Sequence, residues 1–355
     1  MRELFDDDHA AFAESFRAFI ARETGEPDAF RRAGKAGLLE MQVPERHGGG
    51  GVDDPRFCAV AIEGLVAAGQ LGFALAYASH VGVGQALLTT HASASQQEEW
   101  LPALTTGDTT VAVAVERVTG HIDGGTVTLD GRCAAVVNGA RAGVGLIPLQ
   151  LDERGVAVAV VDLSARGVGR ADVDGLVTVE AGLADLEFDG VRVGEAGLLP
   201  APAFTRLLSD IRLWAAVIGV AGARTAVNWT CTYVRDRKVF GRPVASFENT
   251  RHVLGGLSAE IASAQAYVDR CLVQHAAARL CSEDAAAAKL VATELLGRAT
   301  DEGLQLHGGY GYMREYPIST LFADARFLRW YGGANEDLRL DIAATSLGPV
   351  PATMS

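Results

Sequence analysis

The apolar residues of this chain change their spacing twice, and that limits the folds open to it. Up to about residue 108 they recur at helical intervals, from Thr109 they alternate, and from about Pro202 they return to helical intervals. The first part reads as helices over 4–23, 28–39, 55–69, 72–90 and 94–105. Phe12, Phe16, Phe19 and Ile20 share one face of the first helix, and Asp6, Asp7 and Asp8 lie near its start, where the dipole favours acids. Val-rich alternating segments follow at 110–116, 125–129, 133–138, 156–162 and 184–193, separated by Gly-Gly, Asp-Gly and Arg-Gly turns. Helices over 203–236, 247–279, 282–307 and 317–345 then predict a four-helix bundle with short connections. The expected class is α+β. Its expected parts are an N-terminal helical domain at 1–108, a central β-domain at 109–200 and a C-terminal helical bundle at 201–355.

A net charge of −13 argues against a nucleic-acid or anionic-membrane partner, since phosphate contacts need clustered Lys and Arg. The five cysteines, Cys58, Cys133, Cys231, Cys271 and Cys281, show no C-x-x-C spacing and lie mostly in apolar segments. They read as buried free thiols in a reducing cytoplasm. No metal site is expected, because the eight histidines lack metal-ligand spacing. The start, MRELFDDDHAAF, is acidic and unlike a signal peptide, and no uninterrupted apolar stretch of about 18 residues predicts a membrane span. A cytoplasmic location is the expectation.

Two stretches are candidates for chemistry. The helix predicted up to Leu304 is broken by His307-Gly308-Gly309, with Gly311 following. Glycines there let the backbone approach a ligand, and exposed N–H groups suit an anion such as a pyrophosphate. Pro317 can start a new helix, running to about Arg329 and stopped at Gly332-Gly333. Earlier, Arg237-Lys238-Val239-Phe240-Gly241 follows a long helix. By itself this is a basic helix C-terminus, favourable with the dipole. Arg also offers a planar fork of donors to a pyrophosphate, and Phe can cover an adenine or ribose face.

Taken together, the words Gln305-Leu306-His307-Gly308-Gly309-Tyr310-Gly311-Tyr312, Glu315-Tyr316-Pro317, Asp324-Ala325-Arg326 and Tyr331-Gly332-Gly333 resemble the C-terminal signature of the acyl-CoA dehydrogenases. Residues 37–49, Trp100-Leu101-Pro102 and Asp189-Gly190-Val191-Arg192-Val193 resemble further parts of that family, in particular its long-chain and isovaleryl branch. The resemblance covers essentially the whole chain and implies the same helical, β, helical architecture. It also implies FAD as cofactor. In the family, residues matching Arg237, Phe240, Gln305, Gly308 and Gly309 reach across a dimer interface to the neighbour's FAD, so the chain is expected to supply this donated half of a FAD site.

The chain's own half departs from the pattern. The family loop Thr-Glu-Pro-Gly-Ala-Gly-Ser-Asp reads here Val115-Glu116-Arg117-Val118-Thr119-Gly120, and Trp-Ile-Thr-Asn reads Ala135-Val136-Val137-Asn138. The Gly-Thr-x-Glu turn reads Gly333-Ala334-Asn335-Glu336. Three hydroxyls and an aromatic wall are missing. α,β-Dehydrogenation further needs a carboxylate to take the α-proton while flavin accepts the β-hydride. The two positions that carry it in the family are Gly332 and, counting back from Arg237, Ile211 beside Arg212. Neither is acidic. Asp210 is adjacent to Ile211 but about 100° away around a helix, so a solvated helix-face aspartate is expected there, with a relocated base as the alternative.

The expected function is therefore that of an acyl-CoA dehydrogenase-like flavoprotein acting on an acyl thioester carried by CoA or acyl carrier protein. The alternatives are a non-catalytic partner subunit of a heteromeric acyl-CoA dehydrogenase, completing a FAD site in a related base-bearing chain, and a repurposed secondary-pathway enzyme. A homo-oligomer or a heteromer with such a relative is expected, with FAD held by the chain or shared with its partner.

Overall fold

The computed structural model describes residues 2–23, 28–151 and 154–348, which cluster into two compact units. One comprises residues up to 64, 72–175 and 179–211; the other comprises 65–71, 176–178 and the chain from 212 onward.

The first unit opens with α1 (Asp7–Glu23), α2 (Ala29–Lys35) and α3 (Arg56–Ala67). The predicted stripe of α1 faces inward: Phe16, Phe19 and Ile20 are buried, and Phe16 meets Tyr77 edge-on at 5.6 Å. Helix α2 stops short of the expected Leu39 because the Leu38 N–H turns back to the Ala33 carbonyl at 2.9 Å, closing the helix end. The run Gly48–Gly51 is not a loose loop. Gly50 and Gly51 donate to the Glu40 and Val43 carbonyls at 2.9 Å each, and a Cβ on Gly49 would sit 1.9 Å from the Val43 carbonyl oxygen.

A continuous helical segment runs from Leu71 to His91, comprising α4 (Leu71–Tyr77), a π-helical section (Ala78–Gln85) and α5 (Ala86–His91). By length and composition it is long and apolar enough to cross a membrane, although Ser79, His80, Gln85, Thr89 and Thr90 interrupt it. Its side chains are nearly all buried inside the protein, which is how a core helix satisfies the same composition. Helix α6 (Ala94–Thr105) follows, started by a capping box between Ser93 and Gln96.

The sheet contains β1 (Val111–Val113), β2 (Val118–Asp123), β3 (Thr126–Val136), β4 (Val144–Leu151), β5 (Gly155–Asp162), β6 (Val168–Asp172), β7 (Ala184–Gly194) and β8 (Leu198–Leu199). Its order is β6-β7-β3-β2-β4-β5-β8, with β1 pairing β4 in parallel. Val127, Leu129, Ile147, Leu149, Val161 and Phe188 lie in its core. The predicted strands 125–129 and 133–138 are one strand, β3, whose register against β7 shifts after Leu129 and after Cys133. Strands β2, β4, β6 and the two-residue β8 were not expected.

The second unit is built from most of α7 (Pro202–Asp236), with α8 (Glu248–Ala276), α9 (Ser282–His307), α10 (Pro317–Leu328) and α11 (Asn335–Leu347). A short hairpin of β9 (Lys238–Val239) and β10 (Arg242–Pro243) links α7 to α8. The helical stretch predicted over 317–345 is two helices, divided at the Gly332-Gly333 stop. Helices α7 and α9 pack closely through Gly219, where a Cβ would lie 2.9 Å from the Ala292 backbone.

Cys58, Cys133 and Cys271 are buried free thiols as expected. Cys231 is only half-buried, and Cys281 is exposed at the start of α9, where its sulfur accepts from the Asp284 N–H at 3.4 Å. Among the described residues no cluster of His, Cys, Asp or Glu could hold a metal.

Candidate functional site

The C-terminal signature forms a distinct surface in the second unit. Helix α9 ends at His307, and the chain continues as a tight turn of 3-10 type over Gly308–Tyr312. Gly308 takes φ 59° and ψ −140°, a conformation reserved for glycine. A Cβ at Gly308 or Gly309 would meet nothing within 4 Å, so the backbone here presents an open face. Gln305 is exposed beside it on the last turn of α9.

The turn is held from behind by aromatic side chains. His307 is buried and stacks on Tyr233 at 4.1 Å, and its Nδ1 lies 2.7 Å from the Gly303 carbonyl. The Tyr233 hydroxyl donates to the His307 carbonyl at 3.1 Å. Burial pushes the His307 pKa down, opposed by the Gly303 contact, and pushes the Tyr233 pKa up. His307 is therefore neutral at pH 7 and serves as packing. One helical turn beyond Tyr233, the Arg237 guanidinium lies 5.3 Å from the Tyr310 ring centre, which places the cation at the glycine turn. Phe240 is 93 % exposed with φ 51°, a strained position for an aromatic residue left almost wholly in solvent. The structure thus brings Arg237 to the turn that carries Gly308 and Gly309, beside Gln305, and leaves Phe240 projecting from the following hairpin.

The counterpart residues of the β region are engaged internally. Val137 is fully buried. Asn138, also fully buried, gives its amide Nδ2 to the Ala76 carbonyl at 2.9 Å and the Val111 carbonyl at 3.4 Å. Ala135 has φ 46°, and its N–H donates to Asp185 Oδ1 at 2.8 Å. Val115 is half-buried. None of these side chains offers a donor to a ligand.

The base positions are likewise accounted for. Ile211 is fully buried on α7. Asp210 is not the solvated aspartate expected. It is fully buried and ion-paired with Arg206 at 2.7 Å, one turn earlier on the same helix. The spacing of Arg206 and Asp210 was visible in the sequence, but the burial of the pair was not. Gly332 is buried with φ 77°, and its carbonyl accepts from Arg212 Nε at 3.0 Å. Gly332 itself carries no carboxyl group, and the carboxylate that Arg212 holds, Asp341 at 3.1 Å, lies on α11.

The residue that sequence reasoning missed is Lys289. It is fully buried on α9 and donates to the Arg329 carbonyl at 3.0 Å, the Gly333 carbonyl at 2.6 Å and Asn335 Oδ1 at 2.7 Å. Three acceptors around one nitrogen match the three donors of an ammonium. Burial, helped by Arg212 and Arg329, pushes its pKa down to about 7, while Glu336 and Glu294 act against the shift. Asn335 completes the set by donating to Thr293 Oγ1 and Glu294 Oε1, each at 3.0 Å. Lys289 thereby ties α9 to the turn between α10 and α11. A single lysine in the apolar run of α9 was the available signal.

Comparison with known proteins agrees with this geometry. Residues 2–108 match the acyl-CoA dehydrogenase N-terminal domain, and residues 201–347 match the acyl-CoA dehydrogenase C-terminal domain. The long-chain specific acyl-CoA dehydrogenase of Sus scrofa mitochondria is 30% identical over 97% of this chain and 87% of its own length. An acyl-CoA dehydrogenase of Bacillus subtilis is 27% identical over 90% of this chain and 89% of its own. The crystal structure of an acyl-CoA dehydrogenase from Geobacillus kaustophilus superposes with a TM-score of 0.89 at 25% identity, covering 98% of this chain and 100% of that one. With its C-terminal turn, its helices and its sheet in place, the chain belongs to the acyl-CoA dehydrogenase family of flavoprotein oxidoreductases.

Proposed function

We propose that this chain works within acyl thioester α,β-dehydrogenation as the donor of half a FAD site, and that it carries little of the chemistry by itself. The observation that supports this most is the open Gly308-Gly309 backbone with Arg237 beside it, on a turn braced from behind by Tyr233 and His307. Such a surface fits a diphosphate: the guanidinium offers charge-assisted hydrogen bonds, and the glycines admit close approach. Phe240, exposed in its own chain, is suited to cover a ring of the same ligand. When bound, FAD supplies the hydride acceptor. The residues of this chain bind and orient it; Ile211 and Gly332 provide no proton acceptor.

A second reading, a non-catalytic subunit paired with a base-bearing relative, is favoured by a specific observation. Asn138 and Val137, on the chain's own flavin-facing strand, are fully buried, and Asn138 spends its amide on backbone carbonyls. In either reading we place the chain in the cytoplasm, in three domains with boundaries near 108 and 200. It forms dimers through the C-terminal helices. A stable monomer in sedimentation at micromolar concentration would contradict the dimer.

The test of function is oxidation of saturated acyl-CoA by the isolated chain, with an artificial electron acceptor. Loss of a general base costs about 10²–10⁴ in rate, so weak turnover is expected. Ordinary family turnover that is abolished by Asp210→Asn would show instead that the buried Asp210 is the base.

A further inference from the structure

Many arginines of this chain are held by carboxylates. Arg56 meets Asp54, Arg270 meets Asp284 and Arg329 meets Glu294, at 2.6, 2.6 and 2.8 Å. The end of α7 and the hairpin that follows it are different. Among the described residues neither Arg237 nor Arg242 has a carboxylate partner. Each lies against a ring instead, Arg237 at 5.3 Å from the centre of Tyr310 and Arg242 at 4.0 Å from that of Phe247. We propose that Tyr310 is a positioning residue of the diphosphate site: its ring orients the Arg237 guanidinium and leaves the charge free for the ligand. The proposal rests on the reading of this turn as half of a FAD site, and it adds a residue that the reading does not use.

The reason lies in what a ring does that a carboxylate cannot. An exposed arginine has many rotamers, and ordering it on a ligand costs conformational entropy. A neighbour that holds it beforehand removes part of that cost. A carboxylate would hold it, but it would also take up its N–H groups and cancel its charge. An aromatic face attracts the cation through the ring quadrupole, while the five N–H donors lie in the guanidinium plane and stay available at its edge. Tyr310 therefore supplies orientation without neutralisation.

Tyr310 is itself held in place. Its ring meets Tyr316 at 5.3 Å, and Tyr316 meets Tyr233 at 5.9 Å and His307 at 6.0 Å, at interplanar angles of 90° and 72°. Tyr233 lies one turn before Arg237, and its carbonyl accepts the Arg237 N–H at 2.9 Å. From the hairpin side, the Val244 N–H donates to the Arg237 carbonyl at 2.8 Å. The rings thus close a frame that runs from the end of α7 through the glycine turn and back. Tyr310 is 42 % exposed, so it borders the open face of Gly308 and Gly309 and is not a core residue. Only the ring enters the argument, so phenylalanine should replace it and leucine should not.

The experiment is a double-mutant cycle on the FAD affinity of the complex between this chain and a base-bearing relative, both full length, read by flavin fluorescence. Tyr310→Leu is expected to weaken FAD binding about threefold to tenfold, and Tyr310→Phe to stay within about twofold of the parent. Tyr310→Glu should weaken it more than Tyr310→Leu, because the new carboxylate discharges Arg237. In an Arg237→Ala background Tyr310→Leu should have no further effect, whereas a side chain that only kept the turn folded would cost as much there as in the parent. Parent-like binding by Tyr310→Leu, parent-like binding by Tyr310→Glu, or an equal loss in both backgrounds would overturn the proposal. Two chains that do not associate, or an Arg237→Ala complex that binds FAD like the parent, would overturn the half-site reading and take this proposal with it.

Discussion

At Lys289 a buried cation is justified by geometry, because three acceptors from the α10–α11 turn close around its nitrogen. Replacing it by Met keeps the bulk but removes a donor from all three; the Arg329 carbonyl still accepts from the Asn335 N–H at 3.0 Å and Asn335 Oδ1 from Thr293 Oγ1 at 3.2 Å, so the Gly333 carbonyl loses most. A buried orphan costs about 1–3 kcal/mol, so Lys289→Met should destabilise the protein by about 1–3 kcal/mol in denaturant unfolding. A loss below about 0.5 kcal/mol would mean that the acceptors find water instead. Asp210 illustrates the opposite lesson. Its neighbour Ile211 and its helical spacing were legible, whereas its burial against Arg206 depends on tertiary packing that no local window encodes. Asp210→Asn should lower stability by about 1–3 kcal/mol by weakening that buried pair. It should leave acyl-CoA oxidation by a complex with a base-bearing relative unchanged within about twofold, since each general base is worth far more.

Among the elements, long helices were legible because periodicity and stops agree, as at Pro317 and Gly332-Gly333. Strands were less so. β4 reads Val-Gly-Leu-Ile-Pro-Leu-Gln-Leu and is buried on both faces, so it lacks the alternation that betrays a half-exposed strand. β6, Val-Gly-Arg-Ala-Asp, is an exposed edge with no apolar face to read. The π-helical section has its own consequence. His80 is fully buried there, its Nε2 lies 3.1 Å from the Leu104 carbonyl, and its Nδ1 accepts from the Val111 N–H at 3.3 Å. Burial pushes its pKa down to about 4 from an ordinary 6.5. The unfolded chain therefore binds a proton on this side chain at a pH where the folded one does not. Its contribution is fully present above pH 6.5 and is lost as pH falls from there towards 4, by about 3 kcal/mol in all. Unfolding free energies across that window should show this slope, and His80→Gln should flatten it. An unchanged slope in the variant would contradict the assignment.

For the whole molecule, the two halves of the flavin-binding pattern have different fates. The turn of Gly308 and Gly309 with Arg237 is open, while by the family resemblance the residues at Val115, Ala135, Val137 and Ala334 lack three hydroxyls and an aromatic face that the proposed other half would use. Sequence alone exposed the losses, because a missing functional group needs no coordinates to be seen. It did not show that Val137 and Asn138 are sealed inside, which means that restoring a hydroxyl at Val137 would cost stability before it helped a ligand. Each missing hydrogen bond is worth about 0.5–1.5 kcal/mol, so on the proposed reading the chain's own half should bind flavin more weakly by orders of magnitude. The central claim is this asymmetry, and flavin stoichiometry tests it most directly. The complex of this chain with a base-bearing relative should be purified and its FAD counted against each chain by absorbance. The account predicts FAD for the relative's sites only, lost when Arg237→Ala is introduced here. One FAD per chain throughout, with the Arg237→Ala complex as yellow as the parent, would contradict it.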